Sequence, residues 1–137
     1  MAIFTGSGVA LVTPFHEDES INYDKLDEML DYHCTHGTDS IIICGTTGES
    51  STLSEEEHME CIKFAIERVK GRIPVIAGTG YYCTREAIHL SKEAEKVGAD
   101  GFAAGNSVLQ QGNPEWPDCT LYRYRRVGRY SVSVIPC

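Results

Sequence analysis

Residues 40–60 read SIIICGTTGESSTLSEEEHME, which is an apolar run, a loop bounded by glycines and a charged segment. A short apolar run of branched residues is typical of a strand buried on both faces of a parallel sheet. Ser54, followed three residues later by Glu57, forms a capping box, and this motif marks the beginning of a helix. The stretch therefore predicts a strand, a loop and a helix, in that order.

The same order repeats on both sides of this stretch. Further apolar runs predict strands at 8–15 (GVALVTPF), at 73–77 (IPVIA) and from residue 101, and helical patterns end at Gly37, Gly71 and Gly98. Strands that alternate with helices about every 30 residues indicate a parallel α/β fold, either doubly wound or a (β/α)8 barrel. Neither GxGxxG nor GxxxxGK[ST] occurs, so a nucleotide-binding fold loses its main support. We therefore predict that residues 1–102 form the first three to four βα units of a (β/α)8 TIM barrel.

Composition excludes several classes of function. The chain has 137 residues, of which 42% are hydrophobic and 23% are charged, and its formal net charge is -8. This acidic balance argues against a nucleic-acid surface, which needs clustered positive charge. The apolar runs are too short to span a bilayer, so no membrane insertion is expected. The six cysteines lack CxxC or zinc-site spacing, which favours free thiols over a metal site.

The loops after the predicted strands carry the candidate chemistry, because parallel α/β proteins bind ligands at the carboxyl ends of their strands. Three loops qualify: 13–15 (TPF), 45–50 (GTTGES) and 78–80 (GTG). In the second, Gly45 and Gly48 let the backbone approach a ligand closely. Thr46 and Thr47 supply hydroxyl and amide donors suited to a small carboxylate, and Glu49 is placed to orient neighbouring donors. The alternative is a glycine-rich turn whose threonines only cap the chain.

The motifs GTTGES at 45–50, RIPVIAGTG at 72–80 and FTGSGVALVTPF at 4–15 agree in order and spacing with one enzyme family. From Phe4 to Phe102 the chain resembles the 4-hydroxy-tetrahydrodipicolinate (dihydrodipicolinate) synthases. Members of the related N-acetylneuraminate lyases usually carry Ser in place of Thr46. The loop therefore favours the synthase, and a lyase-like pyruvate aldolase stays the alternative.

The resemblance implies a cytosolic homotetramer of TIM barrels that condenses pyruvate with L-aspartate 4-semialdehyde in lysine biosynthesis. It implies no metal and no organic cofactor, because a lysine of the enzyme forms a Schiff base with pyruvate. By motif match, Thr47 would bind the pyruvate carboxylate. Thr46 would relay protons together with two tyrosines, one of them from a neighbouring subunit.

The family also has a feedback site for lysine beside this loop. Ser50, His58 and Glu86 fall on its positions and are the candidate effector residues. Glu55 stands where lysine-inhibited members often have His, and Tyr82 stands where they have Asn. The alternative is that His58 and Glu86 are ordinary solvated helix residues.

Residues 103–137 depart from the family. All five lysines lie earlier, between residues 25 and 96 and in predicted helices or at their ends, so the Schiff-base lysine is absent. Codons chosen for residues 105–112 and read one base late spell VTPYYNK, the family's next motif. We therefore expect an out-of-frame tail after about residue 103, and we assign no function to its four arginines. The alternatives are a genuine C-terminal segment and a non-catalytic, truncated binding module.

Overall fold

The computed structural model describes residues 5–103, and over this range strands and helices alternate strictly. In chain order the elements are β1 (Gly8–Ala10), α1 (Tyr23–Thr35), β2 (Ser40–Ile43), α2 (Glu55–Val69), β3 (Val75–Gly78), α3 (Thr84–Val97) and β4 (Gly101–Ala103). No helix within this range is long and apolar enough to cross a membrane. The predicted out-of-frame segment lies outside the described residues, apart from Ala103.

The four strands form one parallel sheet in the order β1-β2-β3-β4. In its register, Ile41 of β2 lies between Val9 of β1 and Val75 of β3. Each helix therefore connects a strand to its immediate neighbour, as in a barrel. In a doubly wound sheet, by contrast, the order in which strands are added reverses at a switch point. Within residues 5–103 there is no reversal, so the strand order favours part of a barrel.

The helices cover one face of the sheet. Ile41 and Ile43 of β2 are fully buried, whereas Ile42 between them is half-buried. Because alternate residues of a strand point to opposite faces, the covered face is the one that carries Ile41 and Ile43. The helices contribute fully buried side chains to the same core: Leu26, Leu30, Cys61, Ile62, Ala65 and Val69. The core thus lies between the sheet and the helices. The ends of the strands lie at the edge of the sheet.

Two predicted caps fix where helices begin. The Asn22 side chain accepts a hydrogen bond from the Lys25 amide (2.9 Å) at the start of α1. At the start of α2, the Glu57 amide donates to the Ser54 hydroxyl (3.3 Å) and the Ser54 amide donates to the Glu57 carboxylate (2.9 Å). The predicted capping box is confirmed, and it fixes where α2 begins.

Two strands are shorter than the sequence predicts. The run at 8–15 stops as a strand at Ala10, after which the Leu11 amide makes one more bond to the Ile42 carbonyl (2.9 Å). Pro14 has no amide hydrogen, so the ladder could not have continued to the end of the predicted run at Phe15. The strand predicted at 73–77 begins instead at Val75, directly after Pro74, for the same reason.

Candidate functional site

The loops after β1, β2 and β3 meet at the edge of the sheet where the strands end. The Thr13 hydroxyl, after β1, donates to the carbonyl oxygen of Gly48, after β2, over 2.7 Å. The ring nitrogen Nε2 of His58 lies 2.8 Å from the carbonyl oxygen of Gly78, where β3 ends. Both side chains are almost completely buried, so water does not compete for these hydrogen bonds. The first bond joins the loops after β1 and β2, and the second joins α2 to the end of β3.

The loop from Gly45 to Ser50 is a series of tight turns. The Gly45 carbonyl accepts hydrogen bonds from the amides of Gly48 (3.0 Å) and Ser50 (3.3 Å). Thr46 and Thr47 are exposed, and no acceptor within residues 5–103 binds their amide or hydroxyl hydrogens. Two adjacent residues at the edge of the sheet thus present N–H and O–H donors that have no partner in the described part of the chain. This is the arrangement that a small carboxylate needs.

The two glycines of this loop have different roles. A Cβ atom added to Gly48 would lie 3.0 Å from the Leu11 carbonyl oxygen and 3.2 Å from Cys44 Cα. A Cβ atom added to Gly45 would meet only Ile42 Cγ2, at an ordinary 3.5 Å. The expectation that both glycines admit a ligand is therefore wrong for Gly48, which is buried and packs against the protein's own backbone.

Glu49 acts in the loop through its backbone. Its φ of 55° is left-handed, and its carbonyl oxygen accepts hydrogen bonds from the Thr52 amide and hydroxyl, both at 2.9 Å. The Glu49 side chain is exposed and has no hydrogen bond within the described residues. The expectation that its carboxylate orients neighbouring donors is therefore wrong in this structure.

The candidate effector residues Ser50, His58 and Glu86 line one cavity of about 150 Å³ between α2 and α3. The structure thus brings all three together. Glu55 and Tyr81 also line the cavity, so its wall carries two carboxylates. Tyr82, in contrast, is 56% exposed and is not part of the lining.

Sequence reasoning missed a further residue beside this cavity. His89 Nε2 lies 2.8 Å from the Glu55 carboxylate and so connects α3 to the first turn of α2. A signal for it exists, since His89 follows Glu86 by three residues and therefore lies on the same side of α3. Nothing in the sequence, however, indicated that Glu55 would be its partner.

His58 is buried, with 3% of its surface exposed, so the alternative of a solvated helix residue is wrong for it. Glu86 is half-buried. Burial lowers the pKa of His58 below its ordinary value of 6.5, and the hydrogen bonds with backbone carbonyls offset this effect only in part. The imidazole is therefore held in its neutral form.

Because the fold disfavours the charged imidazolium, we expect the free energy of unfolding to fall as the pH drops through 6.5. The unfolded chain binds a proton at His58 near that pH, whereas the folded chain binds it only at lower pH. One such group contributes at most about 1.4 kcal/mol per pH unit. Urea unfolding from about pH 7.5 to about pH 5.5 measures the slope. His58→Gln should reduce the slope relative to the parent chain; an unchanged slope in this variant would contradict the assignment.

None of the five lysines lies at the edge where the loops meet. Lys70 caps the end of α2, the others lie within helices, and all five are exposed. Three of them pair with acids of their own helix: Lys25 with Glu28, Lys63 with Glu67 and Lys96 with Glu93. The loop that presents Thr46 and Thr47 therefore has no amine nucleophile beside it in the described part of the chain.

Comparison with known proteins agrees with this architecture. Residues 3–110 match the model of the Dihydrodipicolinate synthetase family. The 4-hydroxy-tetrahydrodipicolinate synthase of Lachnoclostridium phytofermentans is 68% identical over 100 residues, which are 73% of this chain and 34% of that protein. The enzyme of Clostridium tetani is 46% identical over 147 aligned residues, covering 99% of this chain and 50% of that protein. The chain therefore spans half the length of these relatives or less.

A solved structure supports the same assignment. The chloride-inhibited dihydrodipicolinate synthase from Acinetobacter baumannii, complexed with pyruvate, is 38% identical and superposes with a TM-score of 0.85. The match covers 96% of this chain and 45% of that chain. The structural neighbours are TIM barrels, and four parallel strands with three helices are part of one, so the predicted fold class is confirmed. Since the family model matches most of the sequence, the chain belongs to the dihydrodipicolinate synthetase family.

Proposed function

We propose that this chain carries the pyruvate-binding loop of a 4-hydroxy-tetrahydrodipicolinate synthase, a lyase of lysine biosynthesis. The observation that carries the proposal is the pair of exposed threonines whose donors have no acceptor within residues 5–103. A carboxylate offers two oxygens that accept several hydrogen bonds, so adjacent N–H and O–H donors complement it. The A. baumannii relative was solved with pyruvate. Thr47 would bind the pyruvate carboxylate of this chain.

Thr46 would act as a proton relay. A hydroxyl both donates and accepts a hydrogen bond, so it can pass a proton between neighbours without becoming charged. Its partners would be two tyrosines, one contributed by another subunit of a cytosolic homotetramer. The second substrate would be L-aspartate 4-semialdehyde, and the chemistry needs no metal or organic cofactor.

The chain does not supply the nucleophile of this reaction. The synthase chemistry requires a lysine that forms a Schiff base with pyruvate, and such a lysine needs a lowered pKa in a desolvated position. All five lysines of this chain lie on helices or at their ends and are exposed. We therefore propose that the 137 residues bind pyruvate non-covalently and are inactive by themselves. The out-of-frame origin of residues 103–137 belongs to the same proposal.

Replacing Thr47 with valine should weaken pyruvate binding by about tenfold or more. The change removes one hydroxyl donor, and a hydrogen bond to a charged group contributes about 1.5–3 kcal/mol. Line broadening of the pyruvate methyl signal in NMR titrations measures the affinity. The matched control is Thr35→Val, whose hydroxyl donates to α1 carbonyls away from the loop.

If Thr47→Val and Thr35→Val bind pyruvate equally well, the threonine pair is not the carboxylate site. If the folded parent chain binds no pyruvate, the loop is only a glycine-rich turn, and the chain is a non-catalytic fragment.

We further propose that the cavity between α2 and α3 binds L-lysine as an effector. The carboxylates of Glu55 and Glu86 lie in its wall and suit an ammonium group, which would compete there with His89 for Glu55 and with Arg85 for Glu86. Ser50, in the loop that carries the threonines, lines the same cavity and offers a hydroxyl. An effector bound here would contact that loop directly.

Replacing Glu86 with glutamine should weaken lysine binding by about tenfold, because the neutral amide attracts an ammonium group far less than a carboxylate does. Isothermal titration with L-lysine measures the change. Glu17→Gln, which makes the same change in an exposed loop, is the control. Equal affinities in the two variants, or no lysine binding by the parent chain, would show that this cavity is not an effector site.

A further inference from the structure

The Thr13 side chain, in the loop after β1, makes a buried hydrogen bond to the Gly45–Ser50 loop. Its hydroxyl donates to the Gly48 carbonyl oxygen over 2.7 Å. Thr13 is only 4% exposed and Gly48 is buried, so water does not compete for this bond. The hydrogen bond therefore gives the Gly48 carbonyl group a fixed direction.

The peptide group between Gly48 and Glu49 is hydrogen-bonded at both of its ends. Its carbonyl oxygen accepts the bond from Thr13. Its N–H group, which belongs to Glu49, donates to the Thr46 carbonyl oxygen over 3.2 Å. That carbonyl shares a peptide group with the Thr47 N–H. Two hydrogen bonds and two peptide groups thus connect the Thr13 hydroxyl with one of the donors proposed to bind pyruvate.

These hydrogen bonds determine where the Thr47 N–H points. A peptide group is planar, and in its trans form the C=O and N–H bonds point in opposite directions. Because the Thr46 carbonyl is directed at the Glu49 amide, the Thr47 N–H is directed away from that amide. Thr47 is exposed and its amide has no acceptor within residues 5–103, so this donor is available to a ligand.

The same bonds increase the strength of this donor. Hydrogen bonds that follow one another through peptide groups polarise each other, by about 10–30% per bond. The Thr13 hydroxyl makes the Glu49 N–H more positive by drawing electrons towards the Gly48 carbonyl oxygen. The Glu49 N–H has the same effect on the Thr47 N–H, through the carbonyl that lies between them. A more positive N–H group binds an anion more tightly.

The other hydrogen bonds at this corner stay within the loop. The Gly48 amide donates to the Gly45 carbonyl oxygen over 3.0 Å, and the Ser50 amide donates to the same oxygen over 3.3 Å. Such short-range bonds form a turn, but they do not attach the turn to a neighbouring segment. In the described part of the chain, the Thr13 hydroxyl provides an attachment of this corner to the loop after β1.

We propose that Thr13 is a positioning residue for carboxylate binding, because its hydroxyl sets the direction and the strength of the Thr47 N–H donor. The inference rests on the proposed pyruvate site and adds to it a side chain outside the loop. Without this hydroxyl, the Gly48 carbonyl loses its partner and the peptide group that follows it is free to rotate. The Thr47 N–H is then presented in several directions, so pyruvate binds more weakly although the strands and helices stay folded.

The test compares the intact chain with Thr13→Val, which removes the hydroxyl and keeps the shape of the side chain, and with Thr13→Ser, which keeps the hydroxyl. In NMR titrations with pyruvate, Thr13→Val should bind about fivefold more weakly, as expected for one lost hydrogen bond. Thr13→Ser should bind as the parent chain does. Without pyruvate, hydrogen exchange at the Glu49 amide should be faster in Thr13→Val and unchanged in Thr13→Ser.

Ser91→Ala is the matched control. It removes another buried hydroxyl, which lies 2.8 Å from both the Ala87 carbonyl oxygen and the Thr79 hydroxyl oxygen. The variant should lose stability in urea unfolding. Its pyruvate affinity and its exchange rate at the Glu49 amide should stay those of the parent chain, because Ser91 makes neither of these hydrogen bonds to the Gly45–Ser50 loop.

The role of Thr13 is overturned if folded Thr13→Val keeps the parent's exchange rate at Glu49 or the parent's affinity for pyruvate. It is also overturned if Ser91→Ala weakens binding as much. If Thr13→Val does not fold, the scalar coupling across the hydrogen bond from the Glu49 nitrogen to the Thr46 carbonyl carbon decides in the parent chain, and its absence overturns the role. Faster exchange at Glu49 in Thr13→Val, with no pyruvate binding by the parent, supports the positioning by Thr13 and refutes only the pyruvate site.

Discussion

Replacing Gly78 with alanine should lower the free energy of unfolding by about 3 kcal/mol, the upper part of the range for overpacked positions. Gly78 ends β3, and a Cβ atom there would lie 2.6 Å from Gly45 Cα and closer still to the Cys44 carbonyl. Both obstacles are backbone atoms, which cannot rotate away as a side chain can. The methyl group would therefore force β2 and β3 apart where the Gly45–Ser50 loop begins. Urea unfolding should show this as a large loss of stability.

Gly45→Ala is the matched control for this prediction. Its added Cβ atom would meet only Ile42 Cγ2 at 3.5 Å, and Gly45 has no positive φ. Alanine should therefore be tolerated, with a change in the free energy of unfolding of about 0.5 kcal/mol or less. Equal losses of stability in the two variants would show that close contact with the backbone of Cys44 and Gly45 is not what requires glycine at position 78.

Treatment with pyruvate and sodium borohydride should leave this chain unmodified. Borohydride traps a Schiff base only where an amine has attacked the keto group of bound pyruvate, and each lysine of this chain is exposed on or beside a helix, away from the Gly45–Ser50 loop. Whole-protein mass spectrometry measures the outcome, with an intact family member as the positive control. A stoichiometric adduct on one lysine of this chain would contradict the proposal that it lacks the nucleophile.

Local signals in the sequence were sufficient to predict most of the architecture. The Asn22 cap and the Ser54–Glu57 capping box act within a single helical turn, so residue types alone indicate them. The regular spacing of apolar runs likewise predicted parallel strands, and their order in the sheet agrees with a barrel. The sequence misjudged the lengths of β1, which ends at Ala10, and of β3, which begins only after Pro74.

Contacts between distant residues could not be predicted in the same way. Thr13 and Gly48 are 35 positions apart, and His89 and Glu55 are 34 positions apart. No local pattern connects such pairs, because they meet only when neighbouring strands and helices pack. For this reason the sequence indicated Thr46 and Thr47 as donors but did not indicate the hydrogen bonds that hold their loop. It also wrongly assigned an orienting role to the Glu49 side chain.

The threonine pair of the Gly45–Ser50 loop is proposed to bind the carboxylate of pyruvate. The most direct measurement is a titration of the ¹⁵N-labelled chain with pyruvate, followed through its amide signals by NMR. We expect saturable shifts centred on the amides of Thr46 and Thr47, whose hydrogens have no acceptor within the described residues. Acetate should produce the same pattern more weakly, because it shares only the carboxylate. Saturable shifts that leave both threonine amides unmoved, or no shifts from a folded chain, would contradict the claim.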